Sequence, residues 1–66
     1  MNTTIVFDII EQWCKKNCTP MRMDDLAIVL AHRLNQCVDY DDLRDKLDIL
    51  IALNKIHEPS VGMFQV

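Results

Sequence analysis

Apolar residues recur with a helical period in the first segment of the chain, residues 4–17. Placed 100° apart, they cover an arc of roughly 200°, whereas an ordinary surface helix has a narrower apolar stripe. The arc consists of Ile5, Val6, Phe7, Ile9, Ile10, Trp13 and Cys14. The first predicted helix is therefore either enclosed within the domain or contacts a partner or a second copy through Ile5, Phe7 or Cys14.

Two further helices are predicted after a break. Pro20 disfavours the α conformation at the residue before it, so the first helix should end near Asn17 and a short extended link, residues 19–23, should follow. Asp24 is predicted to cap a second helix over residues 25–34. That segment is apolar nearly all round, and we expect it to be the most buried element.

The third predicted helix begins after a turn at residues 35–38. Asp39 or Asp41 can cap it, and its pattern continues to about Lys55. Its predicted core stripe comprises Leu43, Leu47, Leu50, Ile51 and Leu53, and its outward face comprises Asp41, Arg44, Asp45, Asp48, Ala52 and Lys55.

The period shortens from Ile56 onward, which indicates a β-hairpin. We predict strands over residues 56–58 and 63–66, joined by a tight turn over residues 59–62. Pro59 suits the second position of a type I turn, and Gly62 suits the left-handed residue that follows it.

Composition favours one folded domain over residues 1–66. Half of the 66 residues are apolar, with one Gly and two Pro, which is a folding composition. Ten acidic residues against seven basic ones give a formal charge of −3. A general nucleic-acid binder carries a positive field, because neutralising phosphates provides its sequence-independent affinity, so this balance argues against a chain that coats DNA or RNA.

Nothing in the sequence suggests a membrane or a secretory route. The longest apolar runs fall far short of the ~18–20 residues of a spanning helix, and the first four residues lack a basic signal region. Three cysteines, an odd number, fit reduced thiols. We expect a soluble, cytoplasmic chain with no membrane partner.

Few residues suggest catalytic or metal chemistry. With one glycine there is no phosphate loop, and the two histidines are not arranged as a base beside a nucleophile. Thiols and imidazoles follow the spacing Cys-x3-Cys…His-x4-Cys in Cys14, Cys18, His32 and Cys37. Structural zinc usually uses tighter Cys-x2-Cys knuckles. We therefore expect no enzyme activity, no cofactor and no metal. We also expect Trp13 and Phe64 to lie in the core.

The order helix, link, helix, turn, helix, hairpin resembles the winged helix-turn-helix superfamily over nearly the whole chain. The stretches that carry the resemblance are residues 20–27, 38–47 and 50–56. It implies a mostly α fold with a small β-hairpin, in the order α-β-α-α-β-β. In DNA-binding members of the superfamily, the third helix enters the major groove and basic wing residues reach the backbone.

This chain departs from the DNA-binding pattern at the implied contact positions. Three aspartates share the outward face of the third helix with Arg44 and Lys55, and the wing turn has no Lys or Arg. Aspartates facing phosphates are repelled. We therefore expect a small regulatory or adaptor module that binds another protein, with a nucleic-acid-handling or regulatory machine as one kind of partner. The residues expected to contact it are Asp41, Arg44, Asp45, Asp48, Ile5 and Phe7.

Three alternatives remain open at this point. The first is a dimeric DNA-binding regulator that assembles a basic surface, with contacts from Arg22, Arg33, Tyr40, Arg44, Lys55 and His57. The second is a structural subunit that folds fully only in its complex. In the third, the charged residues of the third helix only stabilise the helix, as solvent-exposed pairs of Arg44 with Asp48 and of Asp42 with Lys46.

Overall fold

The computed structural model describes residues 1–66 as three helices and a small antiparallel sheet in the predicted order α-β-α-α-β-β. The elements are α1 (Thr3–Asn17), β1 (Met21–Arg22), α2 (Met23–Leu34), α3 (Tyr40–Ala52), β2 (His57–Ser60) and β3 (Met63–Gln65). Three helices with a three-stranded sheet in this order are compatible with a winged-helix-like fold. None of the helices has the length and apolar character that crossing a bilayer requires.

The sheet joins the link after α1 to the hairpin, in the strand order β1-β3-β2. Met21 pairs with Phe64 and Arg22 with Met63, so the link and the hairpin form one sheet. The Met23 amide donates to the Gly62 carbonyl at 2.9 Å.

That hydrogen bond also explains why the predicted cap of the second helix is wrong. The helix begins at Met23, the cap position is Arg22 without a side-chain hydrogen bond, and Asp24 lies in the first turn. Because strand pairing holds Arg22 extended and Gly62 accepts from Met23, the first helical amide needs no aspartate cap. Asp24 and Asp25 still lie where the helix dipole favours negative charge.

One apolar core lies between the helices and the sheet. Its twelve buried side chains are Val6, Ile9, Ile10, Met21, Leu26, Ala27, Leu30, Leu43, Leu47, Leu50, Ile56 and Phe64. Helix α1 contacts α2, α3, β1 and β3, so its wide apolar arc is largely covered within the domain. Phe64 is in the core as predicted, whereas Trp13 is half-buried.

Helix α2 has the smallest share of exposed residues among the three helices, as predicted, although its Ile28 is 57% exposed on the side that no other element covers. The burial prediction for the end of α3 is wrong, because no element covers that end either. Helix α3 ends at Ala52, with Leu53 as its cap and Asn54 in the left-handed region at φ 59. The chain turns away there, so Leu53 is 59% exposed and Ile56 enters the core instead.

The hairpin turn also differs from the prediction. Pro59 lies within β2, at an irregularity between the pairs His57–Gln65 and Ser60–Met63. Proline is tolerated there because β2 is an edge strand and a bulge leaves the missing N–H unneeded. The loop is Val61 and Gly62, and Gly62 has φ 77, a conformation that favours glycine.

Candidate interaction surface

An aspartate side chain caps the start of helix α3. Asp39 is the N-cap, and its Oδ1 accepts from the amides of Asp41 at 2.9 Å and Asp42 at 3.4 Å. This confirms Asp39 as one of the two predicted caps. The Tyr40 hydroxyl donates to Asp24 Oδ1 at 3.4 Å, which ties the start of α3 to α2.

Arg44, the only arginine on α3, is engaged through all of its guanidinium nitrogens. Its Nη1 and Nη2 donate to the two carboxylate oxygens of Glu58 on β2 at 3.1 and 3.0 Å. Its Nε lies 3.1 Å from Asp48 Oδ1, and its Cζ lies 5.7 Å from the centre of the Phe64 ring. The guanidinium therefore links α3 to the β2–β3 hairpin.

The two partners shift each other's ionisation. The hydrogen bonds with Glu58 raise the pKa of Arg44 further above its ordinary value. The hydrogen bond from Arg44, then that from the Gly62 amide at 2.9 Å, lowers the pKa of Glu58. Both groups are therefore charged throughout the neutral range, and Glu58 also holds the hairpin loop.

The second cation of α3 is paired in a similar way. Lys46 Nζ lies 2.8 Å from Asp42 Oδ1, one helical turn away. Their hydrogen bond lowers the pKa of Asp42 and raises that of Lys46. Helix α3 carries four aspartates against one arginine and one lysine, so its exposed face presents carboxylates and no unpaired cation.

A line of four residues runs along α3 at a spacing of four, and we call it the α3 ridge. It consists of Asp41 and Asp45 in the first half and Ile49 and Leu53 in the second. Residues four apart share one side of a helix. Both aspartates are exposed, Ile49 is 46% exposed, and Leu53, the cap residue that follows the last turn of α3, is 59% exposed. The ridge is thus acidic at one end and apolar at the other.

The remaining predicted contact residues, Ile5 and Phe7, are on α1 and not on the ridge. Ile5 and Phe7 on α1 are half-buried against the core. Lys55 Nζ lies 5.5 Å from the centre of the Phe7 ring, so the ammonium group lies over the aromatic ring. Phe7 lines a small cleft with Leu50 and Lys55, so it lies beside the second half of α3.

The residues predicted to bind DNA in the alternative hypothesis have different local contacts. Arg44 is bound by carboxylates, Lys55 lies over Phe7, and His57 Nε2 lies 3.2 Å from Gln65 Oε1. Arg22 and Arg33 are exposed and take part in no salt bridge. Tyr40 is half exposed at the start of α3.

The thiols and imidazole of the candidate metal series do not converge. No three histidine, cysteine or acidic side chains come together in a way that could hold a metal ion. Cys14 is half-buried with its Sγ 3.9 Å from the Phe64 carbonyl oxygen, while Cys18 and Cys37 are exposed. The spacing along the sequence therefore does not become a shared site in space.

Sequence reasoning missed two features of this surface. Glu58 was read only as a strand residue, and its role depends on strand register, which no local pattern reveals. Ile49 was not assigned to a face, and Leu53 was assigned to the core. The available signal for the ridge was their position four and eight residues after Asp45.

Comparison with protein-family models, with curated proteins and with solved structures finds no significant match to this chain. What the surface does is therefore inferred from its own residues.

Proposed function

We propose that this chain is a non-enzymatic regulatory or adaptor module that binds another protein through the α3 ridge and the adjoining carboxylate of Asp48. The observation that carries the proposal is the engagement of Arg44. A groove-reading helix needs cations or hydrogen-bond donors at its surface, and here both the arginine and the lysine of α3 are held by carboxylates.

The chemistry of the partner follows from the two halves of the ridge. Asp41 and Asp45 favour lysines or arginines on the other protein, which would steer the encounter and fix its orientation. Ile49 and Leu53 favour an apolar patch, which provides the dry centre that stable interfaces have. The partner surface should therefore have an apolar centre with basic residues along one side.

A DNA-binding regulator is the second candidate, and the fold is what favours it. The element order is the one that DNA-binding winged helices use, and Arg22 and Arg33 are exposed and unpaired. DNA binding would require a dimer to bring enough such cations together, because α3 itself repels phosphates.

Formation of a homodimer through the apolar side chains of α1 is a separate prediction. Its test is the mass of the chain in solution across a concentration series. A mass that rises from monomer to dimer supports it, and a monomer at the highest concentration contradicts it.

The protein-binding proposal is tested by reversing one charge at a time. Asp45→Lys is the best variant because Asp45 is exposed and takes part in no salt bridge, so the Arg44 bridges remain. Asp8→Lys on α1 is the matched control, since Asp8 is also exposed and unpaired.

Tagged wild type and both variants are used to capture proteins from a lysate of the host cell, and their binding to random-sequence duplex DNA is measured at low salt. We expect one protein that is retained by wild type and by Asp8→Lys but lost with Asp45→Lys. Retention by all three would contradict the assignment to the α3 ridge. Salt-sensitive binding of wild type to the duplex would favour the DNA candidate.

A further inference from the structure

A cleft on the other helices has a character opposite to that of the α3 ridge. It lies between the second half of α1 and the second half of α2, with Met21 of β1 contributing to it, and has a volume of about 230 Å³. Its lining residues are Ile9, Gln12, Trp13, Lys16, Asn17, Met21, Val29 and Arg33. We call it the α1–α2 cleft.

Burial separates the cleft into a floor and a rim. Ile9 and Met21 are buried, and Trp13 and Val29 are half-buried. The two basic side chains, Lys16 and Arg33, are exposed. The floor is therefore apolar and the mouth is positively charged. An apolar floor with a few polar groups at its edge is the usual composition of a small-molecule site.

The charge of the cleft is uncompensated. Neither Lys16 nor Arg33 takes part in a salt bridge, and none of the lining residues is acidic. The chain has a net charge of −3, so these two cations make the mouth of the cleft a positively charged patch on an acidic protein. An anion would be attracted here and repelled at α3.

One residue of the cleft wall has a polar atom without a partner. Trp13 lines the cleft, and its indole Nε1–H is buried without a hydrogen-bond partner. Buried indole N–H groups usually have an acceptor, and leaving one without a partner is costly. Because this nitrogen is buried, an oxygen of a bound molecule would contact it only if the indole ring turned toward the cleft.

We propose that the α1–α2 cleft binds a small organic carboxylate with an aromatic or branched apolar body. The apolar body contacts Ile9, Trp13 and Val29, and the carboxylate lies between Lys16 and Arg33. The volume is below the roughly 300–1,000 Å³ of sites for drug-sized ligands, so the bound molecule should be smaller than a drug-sized ligand. The site does not depend on the proposed function, because it shares no residue with the α3 ridge.

The experiment uses Trp13 as its reporter, since it is the only tryptophan of the chain. The full chain, labelled with ¹⁵N, is titrated with phenylacetate, with its neutral isostere phenylacetamide, and with acetate, while the single indole N–H signal is followed. We expect a saturable shift of the indole signal with phenylacetate, because its ring would lie against Trp13, with a dissociation constant on the order of 1 mM. Phenylacetamide should bind about tenfold more weakly, and acetate should cause no saturable shift.

Charge-removing variants locate the binding. Lys16→Gln and Arg33→Gln should each weaken phenylacetate binding about tenfold. Lys15→Gln, which removes the same charge from the neighbouring position outside the cleft, should leave the dissociation constant unchanged. The spectra also show directly whether each variant remains folded.

Several results would overturn the proposal. These are equal binding of phenylacetate and phenylacetamide, an unshifted indole signal at saturating phenylacetate, or equal weakening by Lys15→Gln and Lys16→Gln. None of them bears on the α3 ridge, which is probed separately by Asp45→Lys.

Discussion

Arg44 on α3 and Glu58 on β2 form a two-bond ion pair, with N···O distances of 3.1 and 3.0 Å, that links the third helix to the β-hairpin. Glu58 also accepts from the Gly62 amide, so a single carboxylate orients the arginine and holds the hairpin loop. The surface that could have faced phosphates is thereby left acidic.

Replacing that carboxylate should destabilise the domain. Glu58→Gln keeps the size of the side chain but removes the charge that Arg44 and the Gly62 amide contact. The Glu58 side chain is 20% exposed and that of Arg44 41%, so solvent screens part of the interaction and we expect a loss of about 1 kcal/mol. Thermal unfolding should show a Tm lower by about 4–8 °C. Glu11→Gln is the control, because its pair with Lys15 is long, at 3.9 Å, and a Tm loss equal to that of Glu58→Gln would contradict the role of Glu58.

The same pair predicts an acid-dependent loss of stability. Since the folded chain lowers the pKa of Glu58, its contribution is fully present above the unfolded value of about 4.3. It is lost as the pH falls through the lowered folded value, where the unfolded state binds more protons. Denaturant unfolding from pH 7 to pH 3 should show wild type converging on Glu58→Gln in the acid range. A stability difference that persists undiminished at pH 3 would argue against this ionisation.

Two leucines of α3 should differ sharply in their contribution to stability. Leu47 is fully buried, whereas Leu53 is 59% exposed at the end of the helix. Leu47→Ala should cost about 2–5 kcal/mol because it leaves a cavity in the core, and Leu53→Ala should cost less than about 1 kcal/mol. Chemical denaturation of both variants measures this. Similar losses would mean that Leu53 belongs to the core, as its sequence spacing first indicated.

The end of α1 offers a stabilising substitution. Cys18 follows the helix in the left-handed region at φ 55, and its amide donates to the Cys14 carbonyl at 2.8 Å. Glycine adopts this conformation without the steric cost of a Cβ atom. Cys18→Gly should therefore raise the free energy of unfolding by about 0.5–1 kcal/mol. Cys37→Gly, at a position without a positive φ, should give no gain, and a gain there of the same size would point to loss of a thiol as the cause.

The sequence predicted those parts of the fold that depend on local pattern. All three helices, the extended link and the hairpin follow from periodicity and from Pro20, and Asp39 was one of the two caps considered. The errors occur where tertiary contacts decide. Strand pairing at Arg22 replaced the Asp24 cap, and the turn at Asn54 removed Leu53 from the core.

The candidate surface was only half predictable. The excess of aspartates on α3 is visible in the sequence, and it already argued against a phosphate ligand. The engagement of Arg44 was not visible, because Glu58 is fourteen residues away and reaches it through the irregular register of β2. The α1–α2 cleft combines residues of α1, β1 and α2, and no single stretch of sequence contains its pattern.

The α3 ridge is tested most directly by following the amide signals of the ¹⁵N-labelled chain during two parallel titrations. One uses a random-sequence DNA duplex and the other a helical peptide with an apolar stripe flanked by lysines and arginines, both at low salt. We predict that the peptide shifts the signals of Asp41, Asp45 and Ile49, with an effect that weakens as salt rises, while the duplex leaves them unchanged. Saturable shifts of those α3 signals by the duplex, with none from the peptide, would contradict the account.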